Sequence, residues 1–299
     1  MHVFVTGATG WIGRAVIPEL LSAGHTVSGL ARSDEGASLV SSLGATVVRG
    51  SLSDLDVLQQ SAAAADAVIH LAFIHDFTNF QASCAADRAA IEAFGAALAG
   101  SHRPLLITSG TLMLPRGALA TEEMKPDTAN PMTALRGQSE ALALSLVARG
   151  VRANVVRLAP TNHGPGDKGF VPNLIAIARE KRAAAYVASG ANRWPAVHRL
   201  DTARLYRLAL ERGAAGAVYH AVADEGVPLK AIAEAIAKGA GVPVVSKAVE
   251  EAPEHFGWMA MVVGEDNPVS SKRTQEELGW KPREKSLLED LASGFYFEG

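Results

Sequence analysis

The chain is poor in cysteine, in net charge and in long apolar runs, and each shortage narrows its chemistry. Of 299 residues only Cys84 is a cysteine. One thiol excludes an internal disulfide and a cysteine-based metal cluster, and it fits a reducing compartment. The formal net charge is −3, so electrostatics favour neither nucleic acid nor an anionic membrane as partner. The longest apolar stretch, around residues 67–74, falls far short of the roughly 20 residues that span a bilayer. No basic region followed by an apolar one stands before the first strand at His2, which points to a cytoplasmic protein. His198, Asp201 and His220 form neither an HExxH nor a comparable cluster, so no metal site is expected. The G-x-S-x-G elbow of hydrolases is absent too.

What is present describes an ordinary globular protein. Hydrophobic residues make up 48% and charged residues 20%, enough for a well-buried core in one large domain or two modest ones. Over the first 160 residues, apolar strands alternate with helices. Strands are predicted at 2–6, 26–31, 46–50, 67–72, 104–110 and 152–160. Helices lie between them, including an Ala-rich one at 81–99 and one at 131–149, the latter with Asn130 as N-cap, Pro131 in its first turn and Gly150 as its stop. Continuous apolar strands separated by helices predict an α/β fold, a Rossmann-type doubly wound parallel sheet covered on both faces. After Pro160 comes a Gly/Pro loop, "TNHGPGDKG". Short strands near 185–188, 196–200 and 217–222 then mix with helices near 171–182, 201–211 and 229–239. Residues 161–299 are therefore expected to form a smaller C-terminal substrate lobe on the 1–160 core, with chain crossings between the two.

"TGATGWIG", residues 6–13, sits between the first strand and the first helix. Gly7 permits a tight turn, Gly10 lets backbone approach a pyrophosphate, and Gly13 lets helix and strand pack closely. Free N–H groups at the helix start then face the phosphates. Strand, bend and helix in that order predict a dinucleotide site over Thr6, Gly7, Thr9, Gly10, Trp11, Ile12 and Gly13. At the end of the second strand an NAD site usually carries an acid for the ribose 2′-OH. Here Ala31 is followed by Arg32 and Ser33, which suits a 2′-phosphate and predicts NADP(H).

With these motifs the chain resembles the short-chain dehydrogenase/reductase superfamily, in its extended branch of NAD-dependent epimerase/dehydratase-like proteins, over nearly its whole length. "TGATGWIG" matches that branch's TGxxGxxG. "GSLSD" (50–54) is similar to its GDxxD, which would put Ser51 and Leu52 at the adenine. "HLA" (70–72) matches the strand end that touches the cofactor ribose, through Leu71 and Ala72. "ITSG" (107–110) is similar to the strand carrying the catalytic Ser/Thr, best matched by Ser109 with Thr111 as alternate. "RLAPTNHGPGD", "AVHRLDTARL" and "SSKRTQEELGWKP" resemble the branch's later segments.

The resemblance breaks at the catalytic Tyr-x-x-x-Lys. Counting back from Glu140 puts this pair at Met132 and Arg136. Tyr186, Tyr206, Tyr219 and Tyr296 have no lysine four residues on, so a shifted register does not restore it. Residues four apart share a helix face. Arg136 can still donate to ribose hydroxyls, as the family's lysine does, but Met132 has no exchangeable proton. Acid–base catalysis is typically worth about 10²–10⁴-fold. His75, whose ordinary pKa suits proton transfer near neutrality, is the first substitute to consider and His163 the second. Arg193, Trp194 and His198 would line a substrate pocket.

Three functions fit these observations. The first is an NADP(H)-dependent oxidoreductase acting on a small carbonyl, alcohol or imine substrate with a non-standard proton donor. The second is a catalytically silent regulator or scaffold that senses NADP(H). The third, a nucleotide-sugar epimerase or dehydratase, relies most on the missing tyrosine. Analogy with the family adds a homodimer through the 81–99 and 131–149 helices.

Overall fold

The computed structural model describes residues 1–298. In chain order the elements of its first half are β1 (His2–Thr6), α1 (Gly13–Ser22), β2 (Thr26–Ala31), α2 (Asp34–Ser42), β3 (Thr46–Arg49), α3 (Leu55–Ala64), β4 (Ala67–His70), α4 (Phe80–Leu98), β5 (Pro104–Gly110), α5 (Pro131–Ser145) and β6 (Arg152–Leu158). The second half adds β7 (Thr161–His163), α6 (Phe170–Lys181), β8 (Ala184–Val187), β9 (Arg193–His198), α7 (Arg199–Arg212), β10 (Val218–Ala221), β11 (Asp224–Pro228), α8 (Leu229–Ala240) and β12 (Val244–Lys247). The short helices α9 (Ala252–Phe256), α10 (Ala260–Val263), α11 (Lys272–Leu278) and α12 (Leu287–Ala292) follow.

Seven strands form one parallel sheet in the order β3-β2-β1-β4-β5-β6-β10. The chain starts in the middle, runs to one edge, then returns to fill the other. This order puts a crevice at the carboxyl ends of β1 and β4, where the winding reverses. The apolar runs that predicted strands are buried on both faces, as in β4, where Ala67, Val68, Ile69 and His70 are all inaccessible. One face packs against α1 and α7, the other against α3, α4 and α5. α5 begins as its sequence implies: the Asn130 side chain accepts from the Met132 N–H at 2.9 Å, and a 3-10 turn at Leu146–Arg149 continues the helix to Gly150, which stops it in a left-handed conformation.

The lobe has its own core, built on α6, α8 and α9 around Trp194, Ile232 and Phe256. Its strands make two small sheets, β11-β9-β7 and β12-β8. Two features differ from expectation. Thr161–His163 is strand β7, paired in parallel with β9, rather than loop. Helix α7 starts at Arg199, because the His198 side chain accepts from the Leu200 N–H and ends the preceding strand. Strand β10 joins the main sheet beside β6, and α7 packs on α1, so the chain returns to the core after residue 160.

Candidate active site

The glycine bend lies where the sheet's winding reverses. Gly7 has φ +67°, a backbone state that side chains disfavour. A Cβ there would lie 2.7 Å from the Ala72 backbone nitrogen, and one on Gly13 would lie 2.2 Å from the Gly7 carbonyl oxygen. Bend, helix start and β4 end are thus packed backbone to backbone, in a cradle that side chains would fill. The Thr6 hydroxyl ties it down, bonded to His70 Nδ1 at 2.6 Å and accepting from the Ala72 N–H at 3.3 Å. The Trp11 indole N–H donates to the Asn162 carbonyl at 2.8 Å and pins the bend to β7. These residues fit a dinucleotide.

At the end of β2, Arg32 is exposed and no carboxylate of the described residues pairs with it. Ser33 spends its hydroxyl on the α2 cap, accepting from the Gly36 N–H at 3.1 Å. Arg49 was not anticipated: the β2–β3 register sets it opposite Ala31, where it donates to the Ser33 carbonyl and pairs with Asp34 at 2.8 Å. Nearby, Ser51 bonds Asp54 through its N–H at 2.7 Å and its hydroxyl at 2.8 Å, while Leu52 is buried against the core.

A chain of polar contacts links the bend to α5. His70 Nε2 meets one Asp87 oxygen at 3.2 Å, and Arg136 takes the other. Arg136 also donates to the Thr108 carbonyl at 2.6 Å and lies 4.3 Å from the Phe73 ring centre. Burial by itself would raise the Asp87 pKa; the His70 hydrogen bond and the Arg136 charge outweigh it and hold the carboxyl below its ordinary value. The residue expected to meet ribose is therefore clamped by a buried carboxylate on α4.

Ser109 and Thr111 are engaged as well. The Ser109 hydroxyl donates to Glu140 at 2.5 Å, and Glu140 pairs with buried Arg157 at 2.7 Å. Ser109 was expected to face the substrate; its hydroxyl instead donates to a buried carboxylate whose oxygens Arg157 also serves. Thr111 is buried, with its hydroxyl 3.4 Å from the Asn267 side-chain oxygen.

The mouth of the crevice is apolar. Phe77 and Phe80 stack with ring centres 6.1 Å apart, and Phe73 and His75 meet edge-on at 5.4 Å. Ile74, Phe77 and Met132 are exposed. Met132 lies one helical turn before Arg136 on the same face of α5. His75 is exposed at this rim; partial desolvation of its ring by the surrounding side chains, and then the Arg136 charge, push its pKa below the ordinary value.

Two expectations are corrected. His163 is fully buried, with Nδ1 2.7 Å from Asp290 and its ring against His198, so it is sealed inside the lobe rather than open to the crevice. Arg193, Trp194 and His198 do not form one pocket. Strand alternation turns Arg193 outward to a two-pronged pair with Asp266, at 3.0 and 2.8 Å, and Trp194 inward against Phe170. His198 faces the buried Asp290 and His163; burial first, then His163, lowers its pKa despite the pull of Asp290.

This crevice, on a sheet of this order, defines a dinucleotide-binding protein of the Rossmann type. A family model, "NAD dependent epimerase/dehydratase family", matches residues 3–223, and the chain belongs to that family. An uncharacterized protein of Schizosaccharomyces pombe is 48% identical over 299 residues, covering 99% of this chain and all of that one. A 4-hydroxy-2-methyl-3-oxo-4-farnesyl-3,4-dihydroquinoline-1-oxide ketoreductase of Stigmatella aurantiaca is 27% identical, covering 95% of this chain and 92% of the other. Among solved structures, a dTDP-glucose 4,6-dehydratase of Streptomyces venezuelae, with NAD bound, has TM-score 0.79 at 17% identity, covering 99% of this chain and 96% of that one. No described helix is long and apolar enough to cross a membrane, and no described cluster of His, Cys, Asp and Glu could hold a metal.

Proposed function

We propose that the chain is an NADP(H)-dependent oxidoreductase whose substrate is a carbonyl compound, or the matching alcohol, with an apolar flank. The observation that carries this reading is the glycine cradle packed on the Ala72 backbone, with the aromatic run from Phe73 to Phe80 following directly in the chain. Thr6, Gly7, Thr9, Gly10, Trp11, Ile12 and Gly13 would hold the cofactor's diphosphate, with Leu71 and Ala72 beside its ribose and Ser51 and Leu52 toward its adenine. Arg32 would take the 2′-phosphate, since its guanidinium is exposed while Arg49 is paired with Asp34, and an NAD site usually carries an acid there. The bound nicotinamide supplies hydride exchange. Arg136 keeps a fixed positive charge under the crevice, anchored by Asp87. Ile74, Phe77 and Met132 would receive the apolar flank, which accords with the farnesyl group in the Stigmatella enzyme's name. His75 would deliver the proton to the carbonyl oxygen, as the imidazole exposed at the rim. Residues 161–299, apart from α7 and β10, would cover the substrate side.

The test is NADPH oxidation across ketones graded from methyl to long alkyl and isoprenyl flanks, with calorimetric titration of NADPH and NADH. Activity rising with flank length, and NADPH bound more tightly than NADH, support the reading; Arg32→Ala should abolish that preference. Tight NADH and weak NADPH binding would overturn the cofactor assignment. A second reading is favoured by Met132, which leaves the tyrosine position without a proton: a sensor that binds NADP(H) without turnover. It requires different affinities for NADPH and NADP⁺ together with no activity on any ketone in the series.

A further inference from the structure

Arg14, the second residue of α1, and Arg199, the first of α7, stand apart from the protein's other arginines. Both are half-buried, and the Nε of each is buried without a partner. Neither guanidinium makes a hydrogen bond or ion pair with the described residues. The other partly or fully buried arginines there all do: Arg88, Arg103, Arg136, Arg152, Arg157, Arg204 and Arg207. The two unpartnered cations are also close to each other. Burial first and the Arg14 charge second push the Arg199 pKa below the ordinary arginine value. The carboxylate that opposes this is Asp167, whose oxygens already accept from the Gly169 N–H at 2.6 Å and the Tyr296 hydroxyl at 2.9 Å. Burial raises the Asp167 pKa, so it is a poor counter-ion.

Neighbouring like charges, drawn partly out of water and left without acceptors, are unfavourable unless an anion joins them. Their position indicates which anion. Arg199 lies over the Trp11 ring, 4.1 Å from its centre. Trp11 belongs to the glycine bend, and its indole N–H is held by Asn162, so the ring is a fixed platform. We propose that Arg14 and Arg199 form a two-guanidinium clamp for a diphosphate, the linkage of the dinucleotide that lies along the bend. This rests on the cofactor reading above and adds side-chain charge to a site otherwise made of backbone N–H groups. Because Arg199 directly follows β9, the clamp would also tie the lobe's sheet to the bound cofactor.

Calorimetry tests this with NADPH, adenosine 2′-monophosphate and inorganic pyrophosphate. The proteins are wild type, Arg14→Ala, Arg199→Ala, the double variant and Arg199→Lys, each first checked for an unchanged melting curve. Each alanine variant should weaken NADPH binding about tenfold or more and flatten its dependence on salt. Arg199→Lys should recover part of the loss. Adenosine 2′-monophosphate, which has no diphosphate, should bind all the proteins alike, and pyrophosphate should bind wild type and not the double variant. Alanine variants that bind NADPH like wild type overturn the clamp. So do variants that lose NADPH and adenosine 2′-monophosphate equally, since the site as a whole has then been disturbed. A wild type that binds pyrophosphate through these arginines but neither nicotinamide nucleotide upholds the diphosphate clamp and overturns the cofactor reading instead.

Discussion

Asp87 on α4 and Arg136 on α5 form an ion pair beneath the crevice, with side chains 1% and 11% exposed. Asp87 also bonds His70, and His70 bonds Thr6, so the pair extends the glycine bend's support into α5. A carboxylate this deep is stable only because both its oxygens are occupied by donors.

Replacing Asp87 with alanine should therefore be costly. It leaves the Arg136 charge buried with only the Thr108 carbonyl, and it removes the His70 partner. Breaking one side of a buried pair typically costs roughly 3–5 kcal/mol. Urea unfolding should show that loss in Asp87→Ala. A loss below about 1 kcal/mol, the range of exposed pairs, would mean that water replaces the contact and that Arg136 is not held as described.

The rim histidine makes a kinetic prediction. As proton donor in ketone reduction, His75 acts only when protonated, and its pKa lies below the ordinary 6.5. Reduction by wild type should therefore speed up as pH falls through the region below neutrality, and His75→Gln should lose that rise. The alcohol-oxidising direction needs the neutral ring and should show the opposite limb. Identical pH profiles for wild type and His75→Gln would remove His75 from the chemistry.

Much of the cofactor half is legible from residue order alone, because a strand, three spaced glycines and a helix are contiguous. Asn130, Pro131 and Gly150 mark α5 for the same reason: capping is local. Asp87 was not legible. It sits in an Ala-rich helix with no motif around it, and its importance comes from α4 lying beside α5 and below His70. Arg49 becomes visible only once β2 and β3 are in register. Strand β7 of the lobe was missed because Thr161–His163 is too short to show a period. Trp194 was misjudged because a tryptophan beside an arginine reads as a pocket until strand alternation sends the two side chains to opposite faces.

His220 predicts how stability responds to acid. It is fully buried, with Nδ1 2.8 Å from the Ser270 carbonyl and Nε2 3.3 Å from Arg157, so the neutral ring donates to one and accepts from the other. Burial, with a smaller push from Arg157, lowers its pKa from 6.5 to about 4. Between those values the unfolded chain binds a proton that the folded one does not. Stability must then fall as pH drops from 6.5 toward 4, by about 1.4 kcal/mol per pH unit at most, and level off below. Urea midpoints for wild type and His220→Asn across pH 7 to 4 isolate this group from titrating carboxylates, with the variant's decline shallower. Parallel declines would show that His220 is protonated in the fold.

Gly7 sets the last prediction, since it concerns the bend on which the cofactor site stands. An alanine at Gly7 meets two obstacles. Its φ of +67° is unfavourable for a residue with a Cβ, by roughly 1–2 kcal/mol. The methyl would also lie 2.7 Å from the Ala72 nitrogen and 2.8 Å from the Leu71 carbonyl carbon, both backbone atoms of the adjoining strand end. Neither can swing aside as a side chain could, so the bend or the end of β4 must shift. Gly24 is the matched control: its φ is +83°, and nothing lies within 4 Å of its would-be Cβ. Gly24→Ala should lower stability by about the conformational term alone and leave NADPH affinity unchanged. Gly7→Ala should lower stability further and weaken NADPH at least tenfold, because the displaced backbone carries the N–H groups that face the diphosphate. Gly7→Ala binding NADPH as tightly as Gly24→Ala would show that the cofactor does not rest on this bend.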